Sequence, residues 1–160
     1  MGVTLLRVDD RLIHGQVTEG WVPHLQVDLV VVVSDAAASD EVASALMKMA
    51  LPPTVGLLIS SVADAVAALS APQMAKRSAL VLVPGPAEAL ALVEGGLKID
   101  RVNIGGLHFT VGKVQLGRAL FLDEKDKDAL RAIAKRGVRL EGRPLPTDPE
   151  EDVMAELEAH

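Results

Sequence analysis

The sequence predicts a single α/β domain built on one open, mainly parallel β-sheet of about seven strands flanked by about six helices. Short β-branched runs alternate with longer alanine- and leucine-rich segments, the pattern of β-α-β units and not of a meander. Several of those runs, such as 29–33 (LVVVV), are apolar without alternation, as expected of strands buried on both faces of a parallel sheet. A chain of 160 residues with 49% hydrophobic content is long enough for one domain with a sizeable core, and nothing in it marks a linker, a repeat or a low-complexity tract.

Taken in order, the first strand is read at residues 3–8, and residues 9–14 lead from its end into the first helix. A second strand at 29–34 precedes a helix announced by Ser39 before Asp40 and Glu41, a side-chain cap followed by acid in the first turn. The third strand, 55–60, meets Ser61 with Asp64 three residues later, and the fourth, 79–83, meets Pro86 before Ala87 and Glu88. Gly95 ends that helix where a cap is needed. Strands at 101–104 and 116–122 follow in succession. Asp123 with Asp126 then opens a helix that Gly137 closes before a last strand at 138–143. Asp148 before Pro149, Glu150 and Glu151 reads as the start of a terminal helix.

Composition excludes several function classes. Lys and Arg total 16 against 22 Asp and Glu, a net charge of -6 without any dense basic run, so there is no footprint for nucleic acid or anionic lipid. Aromatic residues make up 2%, with Trp21 the sole tryptophan, too few for a base-stacking surface. The absence of cysteine excludes a disulfide scaffold and a thiolate metal site and suits a reducing cytoplasm. The longest purely apolar stretches, 29–33 and 80–84, fall far short of the ~20 residues needed to span a bilayer. Met1-Gly2 lacks the Ser or Thr a myristoylation signal wants, Leu6 standing there, and Arg7 and Asp9 interrupt any signal-peptide core. No G-x-S-x-G elbow, Walker sequence or G-x-G-x-x-G is present, which disfavours a serine hydrolase and an ATP or dinucleotide enzyme.

The chemistry is concentrated in residues 7–17, RVDDRLIHGQV. Imidazole can take a phosphoryl group on nitrogen, guanidinium can hold phosphoryl oxygens in a planar fork, and a neighbouring carboxylate can fix the ring tautomer. In an open α/β sheet this segment falls at the carboxyl end of a strand and the start of a helix, where an anion is held. Arg11, three residues before His14, is close enough to reach a phosphate on the ring, the competing reading being a rim ion pair with Asp9 or Asp10. Arg7 reads equally as a phosphoryl contact and as an ion-paired strand residue, and Gly15 reads as clearance for a bulky anion. A histidine near a helix start is also commonly structural, so spacing alone leaves both readings of His14 open. Loops at 35–39, 84–86 and 105–108 are expected on the same rim, with Asp35, Gly85, Gly106 and His108 as rim positions and Asp35 a candidate partner of Arg11 or the loop. His24 and His160 lie outside any constellation. Asp9, Asp10 and His14 make a poor metal site, because adjacent carboxylates on an extended backbone point apart.

The motif RVDDRLIHGQV resembles that of the IIB subunits of the mannose/sorbose family of the bacterial phosphoenolpyruvate-dependent sugar phosphotransferase system. Further segments match in the same order: 30–40 (VVVVSDAAASD), Glu94-Gly95-Gly96, 102–115 (VNIGGLHFTVGKVQ), 122–126 (LDEKD) and 143–149 (RPLPTDP). The resemblance covers nearly the whole chain and implies a single IIB domain over residues 1–160. It implies a cytoplasmic phosphocarrier, associated with the membrane only through partner subunits. The carrier takes a phosphoryl group from a phosphohistidine of the IIA subunit and delivers it to a sugar bound by the membrane IIC/IID subunits, without a metal or other cofactor. By resemblance His14 is phosphorylated on Nδ1, Arg11 binds the phosphoryl group, Asp9 orients the loop or the imidazole, and Gln16 donates an amide hydrogen bond. Asp10, Arg7 and Gly15 are assigned to the phosphoryl-binding surroundings. The chain departs from the family at Val83-Pro84-Gly85-Pro86, where a hydroxyl residue is common, and at Ser34, where an acid or amide is common. The alternative is a module of the same fold that signals sugar status without phosphorylating sugar. IIA is expected to dock briefly on the rim through a small, polar, salt-sensitive interface.

Overall fold

The structure, a computed structural model, describes residues 2–118 and 120–159. Six parallel strands form the body of one sheet: β1 (Gly2–Asp9), β2 (Leu29–Val33), β3 (Gly56–Ser60), β4 (Ser78–Val83), β5 (Arg101–Gly106) and β8 (Arg139–Gly142). A two-residue strand β9 (Glu151–Asp152) adds antiparallel to β8, so the order across the sheet is β3-β2-β4-β1-β5-β8-β9. β1 is central, and every parallel strand ends on the same edge of the sheet as its Asp9.

Because side chains alternate along a strand, β1 feeds two cores. Leu6 and Val8 point into one, packed by α4 (Val62–Leu69), α5 (Pro86–Glu94), α6 (Glu124–Lys135) and α7 (Val153–Ala159). Leu5 points to the other face, where Val17, Trp21 and Val22 cover Val30, Val32, Leu80 and Leu82. Arg7 and Asp9 share the parity of Leu5 and lie on that second face, both fully buried. Its cover is a π-helical segment (Gln16–Trp21) running into α1 (Val22–Leu25), with α2 (Asp35–Ala38) and α3 (Glu41–Ala50) beyond.

Two expected elements are corrected. Residues 116–122 are not one strand of the main sheet: β6 (Val114–Leu116) and β7 (Leu120–Leu122) form a separate antiparallel hairpin, turning at Gly117 with φ +65°, and Ala119 lies outside the described residues. The seventh strand of the sheet is β9, where a helix start is expected at Asp148. Asp148 instead closes a turn by accepting the Leu145 amide at 3.0 Å, and Asp152 caps the helix by accepting the Ala155 amide at 3.2 Å. A smaller shift concerns Ser39: Asp40 caps α3, while Ser34 caps the four-residue α2 that fills the expected loop. Asp123 and Asp126 form the expected reciprocal capping box, and Ser61 caps α4. His160 lies outside the described residues.

Candidate functional site

Asp9 is the centre of the site. Its Oδ2 accepts His14 Nε2 at 2.7 Å and Arg7 Nη2 at 2.9 Å, while Oδ1 accepts the Arg11 backbone amide at 3.0 Å. One carboxylate thus aligns the ring, the buried cation and the turn that carries both. That turn closes through Leu12 N to Asp9 O at 3.0 Å and holds Leu12, a residue with a Cβ, at φ +58°. Strain of this kind persists only where surrounding contacts over-determine the backbone; here the buried Leu12 side chain and the Asp9 bonds do so. His14 O then accepts the Val17 and Thr18 amides, both at 2.9 Å, starting the π-helical segment.

With Nε2 committed to Asp9, His14 Nδ1 has no hydrogen-bond partner among the described residues and is not a buried atom. The ring side chain is 14% exposed. A carboxylate on Nε2 selects the tautomer that carries its proton there, leaving the Nδ1 lone pair free as a nucleophile. Gln16 Oε1 lies 3.4 Å from both Arg7 Nη2 and Arg11 Nη2, which leaves its amide nitrogen to face away from the two guanidinium groups. Arg11 is exposed beside it.

Arg7 does not reach the outer side of the site. Its side chain is 0% exposed; Nη1 donates to Asn103 Oδ1 at 2.6 Å and to Arg143 O at 3.1 Å, and the guanidinium carbon sits 5.3 Å from the centre of the Trp21 ring. Burial lowers its pKa from the ordinary guanidinium value, Asp9 pulls it back up, and Arg11 opposes. The phosphoryl-contact reading of Arg7 therefore gives way to that of a buried strut behind Asp9. Gly105 makes the strut possible, since a Cβ there would come closer than 3.0 Å to the guanidinium.

The rim positions separate into two groups. Asp10 accepts the His108 backbone amide and pairs with His108 Nδ1, both at 2.6 Å, and its own amide donates to Gly106 O at 3.0 Å, tying the β1 turn to the end of β5. Asp35, by contrast, does not meet Arg11: its carboxylate accepts the Val62 amide at 2.9 Å at the start of α4. Gly85 caps α5. A Cβ on Gly15 would meet nothing within 4 Å, so no protein contact demands glycine there. Past His108, Phe109, Val111 and Val114 are exposed, which gives this end of the rim an apolar tip.

Sequence reasoning missed Asn103 and Glu141, and placed Gly105 in a rim loop without its role beneath Arg7. Asn103 was signalled by an amide set between Val102 and Ile104 in a strand of a buried sheet, where a polar group must find a partner; Glu141, flanked by Arg139 and Arg143, carried no such signal.

Residues 3–160 match the family described as PTS system sorbose subfamily IIB component. The chain belongs to that family. It is 38% identical over 158 residues to the sorbose-specific EIIB component of Lacticaseibacillus casei, covering 99% of this chain and 96% of the relative. It is 40% identical over 154 residues to the mannose-specific EIIAB component of Escherichia coli strain K12, covering 96% of this chain but 48% of that longer protein. The crystal structure of the IIBSor domain of the Klebsiella pneumoniae sorbose permease superposes with a TM-score of 0.94 at 35% identity, covering 99% of this chain and 98% of the other. The mostly parallel sheet expected from the sequence is thus the fold of the family, and the chain is a IIB phosphocarrier, a phosphotransferase component of a sugar-uptake system. No helix among the described residues is long and apolar enough to cross a membrane.

Proposed function

We propose that His14 carries the phosphoryl group on Nδ1, taking it from the IIA phosphohistidine and passing it to a sugar held by the membrane IIC/IID subunits. The observation that carries this reading is the 2.7 Å bond from His14 Nε2 to Asp9, which leaves Nδ1 as the free ring nitrogen. In the first step the Nδ1 lone pair forms a bond to phosphorus as the donor P–N bond breaks, its electron pair returning to the donor imidazole. His14 is then an imidazolium bearing phosphorus on Nδ1 and the proton on Nε2, and Asp9 stabilises that positive ring. In the second step a sugar hydroxyl forms the new P–O bond, the P–N pair returns to Nδ1, and the hydroxyl proton leaves to a base outside this chain.

Arg11 spreads positive charge over the phosphoryl oxygens, and the Gln16 amide nitrogen donates to them. Arg7 holds Asp9 in place without touching the phosphate. IIA docks over the carboxyl edge of the sheet, where the Asp10–His108 pair ties the turn before His14 to the end of β5 and Phe109 and Val111 are exposed just past it in the chain; the longer E. coli relative is named as an EIIAB component. Association with the membrane comes only through the partner subunits. Incubation with phosphorylated IIA should label the wild type, in an adduct labile to acid and stable to base, and should leave His14→Ala unlabelled. Undiminished labelling of that variant would end the proposal.

A further inference from the structure

Behind the phosphoryl site, strand register sets three buried polar side chains in one row. Arg7 of β1 lies opposite Asn103 of β5, and Asn103 opposite Glu141 of β8. All three are 0% exposed. Glu141 Oε2 takes Arg101 Nη1 at 2.7 Å, its Oε1 lies 3.6 Å from Arg143 Nε, and the same Oε1 accepts Asn103 Nδ2 at 3.4 Å. Asn103 Nδ2 also reaches Arg143 O at 3.3 Å.

Stability alone gives little reason for this arrangement, because a buried ionic row roughly breaks even against well-packed apolar residues. What it supplies is direction. Two acceptors on Asn103 Nδ2 turn the amide so that Oδ1 faces Arg7 Nη1 at 2.6 Å; the flipped amide would set donor against donor. Arg7 Nε is buried without a partner among the described residues, so the guanidinium is aimed only through its two terminal nitrogens. Nη1 is set by Asn103 Oδ1 and Arg143 O, and Nη2 by Asp9 Oδ2, the oxygen that also holds His14, with Gln16 Oε1 a longer partner at 3.4 Å.

Resting on the reading of His14 as the carrier, we infer that Glu141 and Asn103 are positioning residues for phosphoryl transfer, acting through Arg7 and Asp9 on a ring they never touch. Glu141 selects the Asn103 amide orientation, Asn103 aims Arg7, and Arg7 fixes which face of the Asp9 carboxylate meets Nε2.

The test uses the full chain with Glu141→Gln, which offers one acceptor oxygen to three donors, and with Asn103→Ser, which shortens the link. Two readings are taken: the ring-nitrogen NMR signals of unphosphorylated His14, and the initial rate of label transfer from phosphorylated IIA. Both folded variants should lose the single Nε2–H tautomer in favour of a mixture and slow transfer roughly three- to tenfold, with the double variant no slower than the worse single one. Lost packing alone would lower the melting temperature without changing the tautomer. If Glu141→Gln does not fold, Asn103→Ser decides on the same readings. An unchanged Nε2–H tautomer with wild-type transfer in a folded variant overturns the inference. Failure of the wild type to take label would sink the carrier role of His14 instead, while the tautomer comparison still decides the positioning role.

Discussion

Replacing Gly105 with alanine puts a methyl group where the Arg7 guanidinium lies, closer than 3.0 Å to its carbon and to both terminal nitrogens. The obstacle is buried on every side, with Trp21 at 5.3 Å and Asn103 at 2.6 Å, so the guanidinium cannot step aside within its slot. It must leave, which strips Asp9 of its buried cation. Breaking a buried ion pair by displacing one partner costs about 3–5 kcal/mol. Against a total stability of about 5–15 kcal/mol for a domain of this kind, that is a large share. Chemical denaturation of Gly105→Ala should show the loss, and phosphoryl transfer to His14 should fall with it, because Asp9 is no longer held. The collision also predicts its own remedy: in an Arg7→Ala background the Gly105→Ala change no longer meets the guanidinium and should cost less than about 1 kcal/mol, a non-additivity that a double-mutant cycle reads directly. A Gly105→Ala protein with wild-type stability and transfer would refute the strut.

Arg11→Lys keeps the charge but loses the planar fork; transfer should slow roughly tenfold, equivalent to about 1.4 kcal/mol, with normal melting, and an unchanged rate would make Arg11 a rim residue only. Asp9→Asn removes the charge opposite the Nε2 proton and leaves Arg7 uncompensated, so rapid-mixing transfer should drop roughly a hundredfold or more while the protein loses stability; a wild-type rate would show that Asp9 is not needed to set the ring. Acid titration of stability tests Asp28 and Asp123, whose carboxyls are held below the ordinary value of 3.8 chiefly by the amides of Ser78 and Asp126. A lowered folded-state pKa gives stability that is present above the ordinary value and lost as pH falls through the lowered one. Asp28→Asn and Asp123→Asn should therefore melt below wild type at neutral pH, with the gap closing well below 3.8; a gap that persists in strong acid would mean that these carboxylates do not supply it.

Periodicity and caps made most of the fold legible. Unbroken apolar runs at 29–33 and 80–83 could only be strands covered on both faces, and Asp123 with Asp126 places the start of α6 to the residue. The hairpin around Gly117 was opaque because a turn of a few residues inside an apolar run interrupts the pattern too briefly to show. β9 was opaque for a different reason: a two-residue strand has no period, and it exists only because β8 offers an edge. In the site, Asp9, Arg11, His14 and Gln16 are near in sequence, so one motif brought them into view together. Arg7 was visible but left between two readings, since its position at a strand end does not reveal that parity turns it inward beneath Trp21. Asn103 and Glu141 stand 96 and 134 positions from Arg7 along the chain, and only the register of three strands joins them.

Trp21 gives this molecule an optical channel of its own. With one tryptophan and no tyrosine in the chain, excitation of the indole reports a single location. That location is 1% exposed, with its N–H bound to Pro144 O at 2.8 Å and a cation over its ring. Emission from an indole so placed depends on the field of the nearby guanidinium. An event at His14 that moves Asp9, and through it Arg7, should therefore change the emission of the indole stacked near that cation. Under the proposed carrier role of His14, its charge state should be readable in unlabelled protein, in real time, without touching the reacting ring.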